Sequence, residues 1–106
     1  MVLYRVMHFN FKDMKKTELE VIKILETDTL DSTENKSQRF EAYRQWVLSL
    51  NKESLKGVIV GCATFRLNNS NSRMFSATKE EKQRAKFNIE IANIYLDFAK
   101  EAFYCA

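Results

Sequence analysis

The last quarter of this chain carries apolar residues most of the way round a helical wheel. From Thr78 to Tyr104 there is neither Pro nor Gly. At about 100° per residue the polar side chains Lys86, Glu90, Asn93, Asp97, Lys100 and Glu101 gather in one narrow stripe. The spacing predicts a long helix, opened by Thr78 with Glu81 three residues on as a capping pair. Phe87, Ile91, Ile94, Tyr95 and Phe98 make one apolar face, and Ala85, Ile89, Ala92, Leu96, Ala99 and Phe103 make a second. A helix apolar most of the way round is buried on several sides. The first face is expected to meet the domain core. The second, at Ile89, Ala92, Leu96, Ala99 and Phe103, has alternating steps of three and four and reads as a homodimer seam or a groove for a partner.

Upstream the pattern shifts toward alternation. Residues 2–11 read as a strand whose core face carries Leu3, Met7, Phe9 and Phe11, followed by a polar turn at 12–16. Between Thr17 and Thr27 the apolar residues Leu19, Val21, Ile22, Ile24 and Leu25 scatter around a helical wheel. Glu18 to Val21 alternate cleanly and then slip one register, as a bulge would, so a strand paired back on the first is favoured. Thr17 with Glu20 is the competing helix-start signal. Asp31 with Glu34 opens a one-sided helix carrying Phe40, Tyr43, Val47 and Leu50. The run Gly57 to Phe65 is apolar on both faces and reads as a central strand covered on both sides. Asn68 to Ser76 reads as a loop. The expected fold is therefore α+β in the order ββαβα: one domain over 1–106, with a small, mainly antiparallel sheet and the long C-terminal helix packed on it.

Charge adds a second, weaker surface. The net charge of +3 is carried wholly by residues 54–106, because residues 1–53 hold nine basic and nine acidic side chains. Arg66, Arg73, Lys79, Lys82 and Arg84 cluster around the 68–76 segment and the start of the last helix. Free backbone N–H groups there favour anions. A nucleotide or nucleic acid would bind at this 66–86 stretch. The segment lacks the glycines of the strong phosphate loops, however, and +3 is thin for a dedicated nucleic-acid binder.

Catalytic and metal chemistry find little to use. His8 is the only histidine and reads as a strand residue. Cys62 sits between Gly61 and Ala63 in the apolar run and reads as inert packing, while Cys105 near the C-terminus reads as exposed. The pairs Glu18/Glu20 and Glu80/Glu81 read as a solvated strand face and a helix first turn. No metal or cofactor is expected. With two cysteines, no leader-like segment and no run of eighteen apolar residues, the chain is expected in the cytoplasm and off the membrane. These readings point to a non-enzymatic regulatory or interaction protein acting by protein–protein binding, as a homodimer or with a protein partner. The Lys-, Asn-, Ile- and Phe-rich composition is what AT-rich coding produces, which suggests a phage or mobile-element accessory protein that inhibits a host factor.

Overall fold

The computed structural model describes the backbone of residues 2–30, 36–74 and 78–106, and the side chains of 12–29, 37–71 and 78–106. Four helices account for it: α1 (Val2–Leu30), α2 (Lys36–Leu48), α3 (Lys52–Met74) and α4 (Lys79–Cys105). No strand occurs among the described residues, so the α+β expectation is overturned. The strands expected at 2–11 and 17–27 are one continuous helix, and that expected at 57–65 is the middle of another. Asn68 to Met74, expected as loop, completes α3. The Asp31/Glu34 helix start, the side chains of Leu3, Met7, His8, Phe9 and Phe11, and Phe75 and Ser76 lie outside the described residues.

The buried stripe of α1 explains the first error. It runs Thr17, Val21, Leu25, Thr29, a spacing of four that includes two threonines. Each threonine hydroxyl bonds back to the carbonyl four residues earlier, Thr17 to Asp13 at 3.1 Å and Thr29 to Leu25 at 2.6 Å. With the hydroxyl satisfied by backbone carbonyls, within α1 at Thr29 and shared with Ser54 of α3 at Thr17, each residue packs like an apolar one. Counting only apolar residues hides the stripe, because Leu19 points to solvent.

In α3 the run 57–65 is apolar on several sides because the helix is central. Leu55, Val58, Cys62 and Phe65 face the core, and Gly57 and Gly61 meet α1. Periodicity cannot separate a short buried strand from a buried helix segment. A Cβ on Gly57 would strike the Met14 carbonyl and the Thr17 hydroxyl, coming within 2.8 Å of the Met14 carbonyl carbon. One on Gly61 would strike Val21 and come within 2.7 Å of the Glu18 carbonyl oxygen. The glycines therefore let two helix backbones approach closely, the same use that small residues find in other helix crossings. At this contact the Thr17 hydroxyl also donates to the Ser54 carbonyl at 2.6 Å.

The pairings set the topology. Met14 opposes Gly57 and Glu18 opposes Gly61, so α1 and α3 run parallel. Arg66 bonds Asn93 at 3.0 Å and Asn88 bonds Asn69 at 3.0 Å, so α3 and α4 run antiparallel. The chain is an up-down-up-down bundle. In it α3 is flanked by α1 and α4, and the short α2 lies over one side of that three-helix layer. Local signals agree with the ends: Asn51 accepts from the Ser54 N–H at 2.8 Å at the start of α3. The Thr78 side chain accepts from the Glu81 N–H at 3.1 Å and donates to its carboxylate, as the sequence predicts.

Gly57→Ala is a direct test of the close contact. Helix propensity alone would stabilise the protein by about 1 kcal/mol. The clash with backbone that cannot swing aside should instead cost about 1–3 kcal/mol net, read as a lower urea midpoint. A midpoint that rises would refute the contact.

Candidate functional site

The expected partner seam on α4 is occupied by the chain itself. Ala92 and Ala99 are fully buried and Leu96 nearly so, while Ile89 and Phe103 are half-buried. Asn88 and Asn93 bracket this stripe on the helix, and both bond to α3. The small residues Ala85, Ala92 and Ala99 allow α3 to approach closely. Phe103 also lies beneath the Lys52 ammonium, 5.5 Å from its ring centre. The other α4 face is the less completely covered one: Ile91 and Tyr95 are buried, but Phe87, Ile94 and Phe98 are only half-buried, Phe98 lying against Tyr43 of α2.

The most ordered chemistry lies where all four helices meet. Tyr43 of α2 stacks on Tyr95 of α4 with ring centres 4.0 Å apart and planes 13° from parallel. The Tyr43 hydroxyl donates to the Tyr95 carbonyl and also makes a hydrogen-bonding contact with the Cys62 thiol of α3. The Tyr95 hydroxyl donates to the Asp28 carboxylate of α1. Phe40 closes edge-on against Tyr95 at 5.6 Å, and Tyr43 is flanked by Trp46 and Phe98. Burial pushes the Cys62 thiol up to about 12, against a smaller opposing effect of the Tyr43 hydrogen bond. Burial likewise raises both tyrosines, helped at Tyr95 by its bond to Asp28. Thiol and phenols are therefore neutral at physiological pH, and a protonated thiol is a poor nucleophile. The sequence expectation that Cys62 is packing and Cys105 exposed matches the structure.

The basic residues are divided. Arg66 is half-buried and its guanidinium donates to the Asn93 side chain, so it ties α3 to α4. Lys79, Lys82 and Arg84 are exposed on the first turns of α4, interleaved with the exposed Glu80 and Glu81. The Arg73 side chain lies outside the described residues. No focused anion cradle is assembled among the described residues of this segment.

Two surfaces escaped the sequence reading. The first is the outer side of the three-helix layer, away from α2. Val60 and Leu67, seven residues apart on α3, are 41% and 60% exposed, with Ala63 and Thr64 between them. Leu19, 53% exposed, and half-buried Ile22 continue this side on α1. Once 57–65 is placed on a helix wheel, Val60 and Leu67 fall opposite Cys62, which is the signal that could have found them. The second is a cleft of about 280 Å³ lined by Glu26 and Thr29 of α1, Phe65 and Asn69 of α3, and Arg84 and Asn88 of α4. It joins residues 62 positions apart, and no local pattern announces it.

Among the described residues no group of three or more His, Cys, Asp or Glu is arranged to hold a metal, and no helix is long and apolar enough to cross a membrane. No family model, curated protein or solved structure matches this chain.

Thiol labelling checks the core. In native protein at mildly alkaline pH, Cys105 should react fast and Cys62 only after denaturant is added; two fast thiols would contradict the buried network. The pH dependence has a definite sign. Cys62 has its pKa raised in the folded state from 9.0 to about 12. Its contribution to stability is therefore complete below pH 9.0 and is lost as pH rises from there through about 12. Thermal unfolding should accordingly shift to lower temperature above pH 9.0, and less so in Cys62→Ala.

Proposed function

We propose that this chain is a non-enzymatic interaction protein that works by protein–protein contact through the outer side of α3, with a second copy of the chain as the occupant. The observation that carries this is the exposure of Val60 and Leu67 on a central helix whose other sides are covered. Large apolar side chains grouped on one face, continued by Leu19 on the neighbouring helix, are characteristic of association surfaces. The homodimer foreseen from the apolar excess of the chain is thereby moved from α4, whose Ala92, Leu96 and Ala99 are internal, to α3. A role that depends on shape also agrees with a core whose thiol and phenols are held neutral. The nucleic-acid alternative at 66–86 has weaker support, since Arg66 is engaged by Asn93 and the exposed cations alternate with carboxylates.

Sedimentation velocity tests the proposal. The wild type should run as a dimer at high micromolar concentration. Val60→Glu with Leu67→Glu should run as a monomer with unchanged helical circular dichroism, because neither residue is in the core. A wild type that stays monomeric, or a double variant that dimerises equally well, would overturn the assignment.

A further inference from the structure

We propose that the outer side of α3 pairs with a second copy antiparallel, about a two-fold axis level with Ala63 and Thr64, and that charges on α1 and α4 select this orientation. The proposal rests on the association through α3 stated above and adds what makes a second copy the fitting partner. Val60 and Leu67 belong to a run, Lys56, Val60, Ala63, Leu67 and Ser70, whose steps alternate four and three, the spacing of a helix–helix seam. An antiparallel copy centred on Ala63 and Thr64 sets Val60 against Leu67 of the second copy, and Leu67 against its Val60. The small Ala63 at the centre lets the two helices come close.

The flanks of the seam decide the orientation. Met14 opposite Gly57 and Glu18 opposite Gly61 both set an α1 residue level with the α3 residue 43 numbers on. A two-fold axis lying across the helices makes α3 antiparallel and lays α1 over α1 of the second copy. Lys15, level with about residue 58, then meets Glu26 of the second copy, level with about residue 69. Lys23 meets Glu18 in the same way, and Leu19 meets Ile22, which widens the apolar seam. On the other flank the Arg66–Asn93 and Asn69–Asn88 bonds set Lys100 level with about residue 58 and Glu90 with about residue 68. Lys100 therefore meets Glu90 of the second copy. A two-fold axis along the helices would instead keep α3 parallel and lay α1 over α4 of the second copy. Lys15 would then face Lys100 and Glu26 would face Glu90, like against like. Lys15, Lys23, Glu26, Glu90 and Lys100 are all exposed, and Lys15 reaches Glu18 of its own helix only at 3.6 Å. Charge pairs at a rim add little affinity, but facing like charges suppress the wrong arrangement. The order along α1, positive, negative, positive, negative, is opposite in sign from either end, so the face complements itself when turned around.

Site-directed cross-linking tests the orientation, in a Cys105→Ser background at a concentration where the chain dimerises. A mixture of Lys15→Cys and Glu26→Cys chains should be joined by a short bismaleimide. Lys15→Cys chains alone should not, because the two copies of residue 15 lie roughly 16 Å apart along the axis. Preferential joining of Lys15→Cys to Lys100→Cys chains would overturn the proposal in favour of the parallel form. Charge reversal gives a second measure by sedimentation. Lys15→Glu with Lys23→Glu should weaken dimerisation about tenfold, and adding Glu18→Lys with Glu26→Lys to the same chain should restore it. Unchanged dimerisation in the double variant would overturn the proposal and leave the α3 contact standing. A wild type that stays monomeric would overturn both.

Discussion

The bundle depends on the close parallel contact between α1 and α3 at Gly57 and Gly61. A side chain at either position would strike backbone or buried side chain of α1, so only glycine lets α1 lie this near. Glycine within a helix costs about 1 kcal/mol relative to alanine, and the close packing must offset that. The contact fixes the register of α1 and sets Thr17 on the Ser54 carbonyl. With one flank of α3 used for α1, the alanine stripe of α4 takes the other. What remains of the core is a seam between α1 and α4, and the short α2 covers it.

That seam is closed by aromatic rings and by hydrogen bonds that reach every helix. Tyr43 links α2 to α4 through the Tyr95 carbonyl and touches Cys62 of α3, and Tyr95 reaches Asp28 of α1. A stacked pair of this kind contributes about 0.5–1.5 kcal/mol beyond its buried area. A satisfied buried hydrogen bond adds about 1 kcal/mol, but leaving one member unpaired costs more. The network therefore specifies which helices meet as well as stabilising their meeting. Since α2 is only 13 residues long, it is held by these aromatic contacts together with the buried Val47.

Some of this architecture is written plainly in the chain and some is not. The C-terminal helix is legible because it is long, free of breakers and capped by Thr78 with Glu81, and the structure has it as α4. The central helix α3 is not, because burial on several sides erases amphipathic period and leaves a run that looks like a core strand. Its polar end, Asn68 to Ser72, looks like a loop by propensity. Asn69 nonetheless belongs to the helix through its bonds to Phe65 and Asn88, a case of tertiary contact overriding local preference. In α1 the misreading came from two buried threonines whose hydroxyls are satisfied by backbone carbonyls. The Gly57–Gly61 spacing was the available clue to a helix contact, since two glycines four apart lie on one helix face but also on one strand face. The functional surfaces were least legible. A helix with two apolar faces does not say which face is internal, and here the α4 seam turned inward while the exposed ridge emerged on α3.

These elements share one premise, that α1 is a helix lying parallel to α3, with Lys15 level with about residue 58 and Glu26 level with about residue 69. Paramagnetic broadening measures this directly, using a spin label at Lys15→Cys or Glu26→Cys in a Cys105→Ser background that leaves buried Cys62 in place. The parallel arrangement predicts that the label at 15 broadens amide signals of 55–61 more strongly than those of 66–72, and that the label at 26 does the reverse. A label at 15 that broadens 66–72 more strongly than 55–61, or the absence of broadening on α3 from either site, would contradict the glycine-held contact on which the bundle rests.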